Sequence, residues 1–323
     1  MKSVLCVIPN PFDATSFYRG WGPLSHLRKI MPDTKFVEAM NVNYVTMMMH
    51  DALFIQRPTE QKHVELIMLA KKCNVPVWVD YDDNLFEVPI YNPQYAYYQR
   101  SEVRENIRNC LSLANLVTVS TDKLRDALDI YMDGEIAIVP NGFPDHIIDP
   151  FAEKHPRKNI ISWRGSATHS EDLKELHHSI VALSWATEKD WSWAFFGDID
   201  YKTHELLIDR KARFKIIPTL EPIDYLRYIH SVGAAIHVVP LADNVFNRCK
   251  SNISWIEGQY AGSICITPKF MDCDDLDAFK YTDNIHSKLI EAIAGQYPTI
   301  IGAEINLLSV ENQKRLNLLE GLF

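Results

Sequence analysis

Short apolar runs alternate with helical patterns along almost the whole chain, and no other feature restricts its fold so tightly. The runs fall at residues 4–8, 52–55, 75–79, 116–119 and 136–139, and again at 159–163, 192–196, 214–217, 234–239 and 263–267. Runs of this length, apolar throughout, suit strands buried on both faces, the condition of a parallel sheet with helices above and below. Helical periodicity fills the gaps, at 21–30, 60–72, 94–113 and 122–131 in the first series and at 170–186, 201–209, 222–231 and 251–260 in the second. Residues 284–319 also read as helical. Between the series, NGFPDHIIDPFAEKHPRK is rich in Pro, Gly, Asn and charge, which marks a linker. The chain therefore reads as an α/β protein of two doubly wound, Rossmann-like domains, residues 1–145 and 158–323, joined by residues 146–157. Its 323 residues suit two cores of about 150 residues each. Ligands of such folds bind in the cleft at the carboxyl ends of the strands.

Composition narrows the function. A net charge of -9 and a pI near 5.7 disfavour a dedicated nucleic-acid binder, although they allow a local basic groove. The first apolar run is too short for a signal sequence, and no run approaches the roughly 20 apolar residues of a membrane span, so a cytoplasmic protein is expected. Cys6, Cys73, Cys110, Cys249, Cys265 and Cys273 are scattered without a CxxC pair and read as reduced thiols. No metal-ligand spacing, dinucleotide fingerprint or P-loop is present, so neither a metal nor a cofactor is expected. Phosphate binding must then lean on side chains and helix ends.

The stretch VPLADNVFNRCKSNISWIEGQYAG, residues 239–262, supplies both. It reads as the end of a strand, a polar loop and a helix opening at Ser251, whose N-terminus would attract an anion. Lys250 stands just before that N-terminus, Ser251 can cap it, and Asn252 lies in the same turn. Helical spacing puts Ile253, Ile256 and Tyr260 on a buried stripe and turns Glu257 away from the core, as a carboxylate able to grip a sugar diol. Asp243, Asn244 and Asn247 are further polar candidates in the loop.

Three other stretches carry polar groups at strand ends. In WRGSATH, Gly165 would let the backbone approach a phosphate, Arg164 supplies a cation, and His169 either caps the following helix or reaches the reacting group. In YRGWGP, Arg19 and Gly20 are expected to face the cleft from the other domain. In VDYDDN, Asp80, Asp82 and Asp83 follow a buried strand, and three readings stay open. They could orient an acceptor or act as a general base, form a metal-binding DxD, or cap the next helix. Arg100, Arg104 and Arg108 follow at four-residue spacing with Tyr95, Tyr97 and Tyr98 before them. They form either a stacking and phosphate-binding face or a solvated helix face paired with Glu102 and Glu105.

Taken in order, YRGWGPLSHL, ANLVTVST, IAIVPNGFPD, WRGSATHSEDL, FFGD and FNRCKSNISWIEGQYAGSICIT resemble a GT-B glycosyltransferase of the retaining family-four type. The resemblance runs through nearly the whole chain and is most specific at VPNG and KSNISWIEGQYAG. It implies a nucleotide-sugar donor held mainly by the second domain and an acceptor held mainly by the first. It places Glu257 at the donor ribose and Lys250 at the diphosphate. Substituting either should weaken donor binding while leaving the fold intact. One departure accompanies it: Cys249 stands where the family has a further carboxylate, eight positions before Glu257. The stretch YDDNLFEVPIYNP is also similar to transferases of large tailed phages, some of whose relatives glycosylate hydroxymethylated DNA bases, so the acceptor is expected to be a glycan or modified DNA. An epimerase acting on nucleotide sugars and a non-catalytic sugar-binding or partner-binding protein are the competing readings.

Overall fold

The computed structural model describes residues 1–10, 13–38, 42–185, 190–271, 279–296 and 305–323. Its strands are β1 (Lys2–Val7), β2 (Thr34–Glu38), β3 (Ala52–Gln56), β4 (Val77–Tyr81), β5 (Leu116–Val119), β6 (Ile136–Ile138), β7 (Lys158–Gly165), β8 (Ser192–Gly197), β9 (Phe214–Ile217), β10 (Ala234–Val238), β11 (Ile264–Pro268) and β12 (Phe279–Tyr281). They form two six-stranded sheets, ordered β2-β1-β3-β4-β5-β6 and β12-β11-β10-β7-β8-β9. Every pairing is parallel, as expected for strands such as β3, β4, β10 and β11 that are buried along their whole length. The direction of strand addition reverses between β1 and β3 in the first sheet and between β10 and β7 in the second. Loops part at such a switch point and leave a crevice at the carboxyl ends.

Several elements differ from the sequence reading, each for a local reason. β2 and β12 are short edge strands; in β2 only Phe36 is buried, so the pattern carries little signal. The segment 94–113 is two helices, Tyr95–Tyr98 and Ser101–Leu113, parted at Arg100, whose backbone is extended. The segment 170–186 is likewise split into Ser170–Lys174 and His177–Trp185, and Ala186 lies outside the described residues. The strand expected at 75–79 is shifted to Val77–Tyr81, so Asp80 lies inside it. Residues 297–304 of the expected C-terminal helix and Cys273 also lie outside the described residues. The last helix, Leu308–Leu322, does not stay with the 158–323 body. Its Leu319 is fully buried with Val4, Leu24, Leu27, Phe54 and Trp78 of the first domain.

The two sheets are tied by a shared core. Phe17, Tyr18, Phe143 and Ile148 pack with Val239, Leu241, Trp255, Ile256 and Tyr260, while Phe246 and Cys249 join the core of the first domain. The carboxyl ends therefore meet face to face, and the loops after β7 and β10 are brought against the loops after β1, β3 and β4.

Candidate functional site

The turn after β7 builds the first part of the site. Ser166 accepts from the Thr168 N–H and starts a single 3₁₀ turn, Ala167–His169, which delivers the His169 ring beside β7. Gly165 is required by packing: a Cβ there would come within 2.4 Å of the Trp163 ring and 3.1 Å of the His169 ring. His169 makes no side-chain cap for the helix that follows; its Nδ1 lies 2.8 Å from Oδ2 of Asp172. Asp172 is 2% exposed, and its other oxygen accepts from the Ala242 N–H and from Asn247 Nδ2, each at 2.8 Å. Asn247, expected among the donor ligands, is buried and spends its amide on Asp172 and the Ala242 carbonyl. Burial, then the nearby Lys250 charge, pulls the His169 pKa below the usual histidine range.

The loop after β10 builds the second part. The helix begins at Ile253 rather than Ser251, with Asn252 at its N-cap and no side-chain cap bond, and a short helix, Val245–Arg248, precedes it. Ser251 is not the cap; its hydroxyl accepts from Asn141 Nδ2 of the first domain at 2.8 Å. Lys250 is partly buried, with its ammonium 5.0 Å from the Phe246 ring centre. Behind the first turn, Ser254 Oγ lies 3.0 Å from His237 Nε2, and Ser162 Oγ lies 2.9 Å from His237 Nδ1. Burial, then the Arg164 charge, pushes the His237 pKa down to about 3, so this buried ring is neutral.

Glu257 does not point away from the core. It is 2% exposed, because its helix is covered on its outer face by the first domain. Tyr18 donates to Oε1 at 2.8 Å, Tyr225 donates to Oε2 at 3.1 Å, and Arg164 Nε forms an ion pair with Oε2 at 2.6 Å. Arg164 and Glu257, read as separate ligands for phosphate and ribose, are thus partners. The phenols stay protonated, since burial and the Glu257 charge raise both pKa values well above normal.

Arg19 and Gly20 are interior groups and do not face the cleft. Arg19 is 2% exposed and holds Asp80 with two hydrogen bonds, Nε to Oδ1 at 2.9 Å and Nη2 to Oδ2 at 2.6 Å. Its Nη1 donates to the Val139 carbonyl and to Asn141 Oδ1, and Thr118 donates to Asp80 Oδ2. A Cβ on Gly20 would meet Gln56 Oε1 at 2.5 Å. This cluster shapes the loop at Asn141, which then reaches Ser251.

Asp82 and Asp83 do reach the carboxyl end of β4, but they share a cation that sequence reading passed over. Arg57, held at a positive φ of 49°, lies 3.6 Å from Asp82 Oδ1 through Nε and 3.1 Å from Asp83 Oδ2 through Nη2. Burial raises the Asp82 pKa to about 6, against the lowering effect of Arg57. Among the described residues no group of three His, Cys, Asp or Glu side chains is placed to hold a metal ion. Cys249 lies between the domains: its thiol faces Asn84 Nδ2 at 3.8 Å, and its carbonyl accepts from Thr121. On the neighbouring helix, Arg100 lies over Tyr97, and Arg104 and Arg108 lie over Phe86, so these guanidiniums pack on rings of their own domain. An open hollow of about 580 Å³ runs between Trp21, Arg28 and Glu38 on one side and Glu221, Asp224 and Arg227 on the other.

No family model and no curated protein matches this chain. Solved structures do. HepE of Anabaena, solved with UDP-glucose, superposes with a TM-score of 0.65 at 11% identity, covering 100% of both chains. The fold is that of the GT-B glycosyltransferases. A glycosyltransferase of Rickettsia africae gives a TM-score of 0.62 at 13% identity, covering 99% of this chain and 98% of that one. A structure described as a UDP-N-acetylglucosamine 2-epimerase of Listeria monocytogenes gives 0.61 at 10% identity, covering 99% and 96%. Within the GT-B frame, the groups that sequence reading missed are Asp172, Tyr18, Tyr225 and Arg57. Asp172 alone carried a local signal, three residues after His169; the others find partners far away in sequence.

Proposed function

We propose that this protein transfers a sugar from a uridine diphosphate sugar to an acceptor hydroxyl. The observation that carries the reading is the meeting, at the switch point between β10 and β7, of Lys250, the N-terminus of the helix Ile253–Tyr260 and the His169–Asp172 pair. A cation beside a helix N-terminus suits a diphosphate, and charge placed there stabilises the leaving nucleotide as the glycosidic bond breaks. The full-length likeness to HepE, which was solved with UDP-glucose, supports the donor class.

In this reading Lys250 and the helix hold the diphosphate, with Arg164 behind them. Glu257 takes the ribose hydroxyls once Tyr18 has withdrawn. Asp82, tuned to about 6, and Asp83 serve the acceptor side, Asp82 as the base for the incoming hydroxyl. Cys249 faces the first domain, so the sugar end of the donor is not held by a carboxylate at that position.

Thermal-shift measurements with a panel of uridine, guanosine, adenosine and cytidine diphosphate sugars test the reading. A saturating donor at a hundredfold above its Kd should add about 2.7 kcal/mol of stability. If no nucleotide sugar raises the Tm, the reading fails. Turnover that yields an isomerised nucleotide sugar instead of free nucleotide would identify an epimerase.

A further inference from the structure

We propose that Asp172 is a positioning residue that makes His169 the proton donor to the leaving diphosphate. The inference rests on the donor site described above. Asp172 is buried and its two oxygens are fixed from three directions, by His169 Nδ1, the Ala242 N–H and Asn247 Nδ2, all at 2.8 Å. Asn247 is itself held, because its N–H donates to Asn244 Oδ1 at 2.8 Å. A carboxylate can only accept, so Nδ1 of His169 carries a hydrogen and Nε2 is the free edge of the ring. That construction is costly for a mere surface turn: one buried charge and two loops are devoted to orienting one imidazole.

The groups around the ring define what it does. Lys250 and Arg164 are the cations facing it, Asp172 is the anion, and the Trp163 ring lies edge-on at 6.4 Å. Tyr91 of the first domain stands near Asp172 and Glu171 and accepts from Asn244 Nδ2 at 2.9 Å. Without a ligand, Lys250 opposes a second positive charge on His169. A diphosphate at Lys250 reverses that balance. A neutral Nε2 would set its lone pair against a phosphate oxygen, whereas a protonated Nε2 donates a charge-assisted hydrogen bond, and Asp172 compensates the imidazolium from the other edge. Donor binding therefore takes up one proton on His169.

The bond between the anomeric carbon and the diphosphate oxygen breaks, and its electron pair stays on that oxygen, which receives the Nε2 proton. The acceptor oxygen forms the new bond to the anomeric carbon, and its own proton passes to Asp82. His169 returns neutral, with Asp172 unchanged.

Calorimetry with UDP-glucose tests this, since the diphosphate diester itself does not titrate near neutral pH. Titrations between pH 6 and 8, in buffers of different ionisation enthalpy, report the protons taken up. The wild type should take up close to one proton where His169 is neutral in the free protein, and His169→Gln should take up none. Asp172→Asn should still bind UDP-glucose, with its uptake moved to lower pH and its release of UDP from UDP-glucose slowed by about a hundredfold. Asp172→Glu should restore part of both. Binding of UDP-glucose with no proton uptake, or identical uptake in wild type and Asp172→Asn, overturns the role of the pair while leaving the donor site standing. Failure of the wild type to bind UDP-glucose or any other uridine diphosphate sugar of the panel overturns the uridine-donor reading and this inference together.

Discussion

Tyr18 and Glu257, 239 residues apart, are joined by a 2.8 Å hydrogen bond that runs from one domain to the other. With Tyr225 on the second carboxylate oxygen, two phenolic hydroxyls occupy the two positions that a vicinal diol would take. The first domain thus covers the carboxylate that we propose for the donor ribose, and on that proposal a ribose would displace Tyr18 to reach it. Tyr18→Phe removes the competitor and keeps the ring. It should tighten UDP-glucose binding several-fold, as read by calorimetry, while lowering stability by about 1.5–3 kcal/mol, the usual worth of a hydrogen bond to a charged group. Unchanged or weaker binding would show that the hydroxyl does not compete.

The same geometry separates Glu257 from Lys250. Removing the carboxylate leaves Arg164 beside the buried Tyr18 and the half-buried Tyr225 phenols with its ion-pair partner gone. Glu257→Ala should therefore destabilise the protein by about 3–5 kcal/mol as well as weaken the donor, whereas the sequence alone led to the expectation of an intact fold. Lys250→Ala, at a partly exposed position, should lose donor affinity with a Tm close to wild type. Equal Tm losses in the two variants would contradict this division.

Arg19 and Asp80 form a pair that is 1% exposed on each side. Asp80→Ala leaves a buried guanidinium without its carboxylate, and urea unfolding should show a loss of about 3–5 kcal/mol. The refolded fraction should bind UDP-glucose with unchanged affinity. Selective loss of affinity at full stability would return this pair to the ligand site.

Asp82 carries a pH signature. Its folded pKa is near 6 and its unfolded value near 3.8, so between these limits the folded state holds the extra proton. Stability must then fall as pH rises through that window. Asp82→Asn abolishes the slope, and urea midpoints at pH 4, 5, 6 and 7 should show the variant gaining on the wild type as pH increases. Parallel curves would contradict the assignment.

His237 acts in the opposite sense. Its folded pKa near 3 lies below the ordinary histidine value of 6.5, so acid favours the unfolded state from about pH 6.5 downward. His237→Gln should be less stable at pH 7, because Ser162 and Ser254 lose their shared partner, yet should lose less on acidification. A variant with the wild-type acid slope would place the titration elsewhere.

Much of this was legible from residue order alone. Runs such as the one at 116–119 return as strands because a parallel sheet buried on both faces tolerates only apolar stretches of that length. The strand-loop-helix turn at Lys250 was legible for the same local reason, since a strand end, a loop and a helix start follow one another directly. What a side chain does once the helix is formed was not. Glu257 reads as outward on helical spacing and is buried because a second domain closes over that face. Arg19 reads as a cleft cation and is interior because Asp80, 61 residues on, is delivered beside it by β4. The sequence by itself determined the two-sheet architecture and the place of the cleft, through periodicities that each segment carries alone. Only the tertiary structure decided which charges face that cleft and which neutralise one another, because ion pairing depends on partners tens to hundreds of residues away.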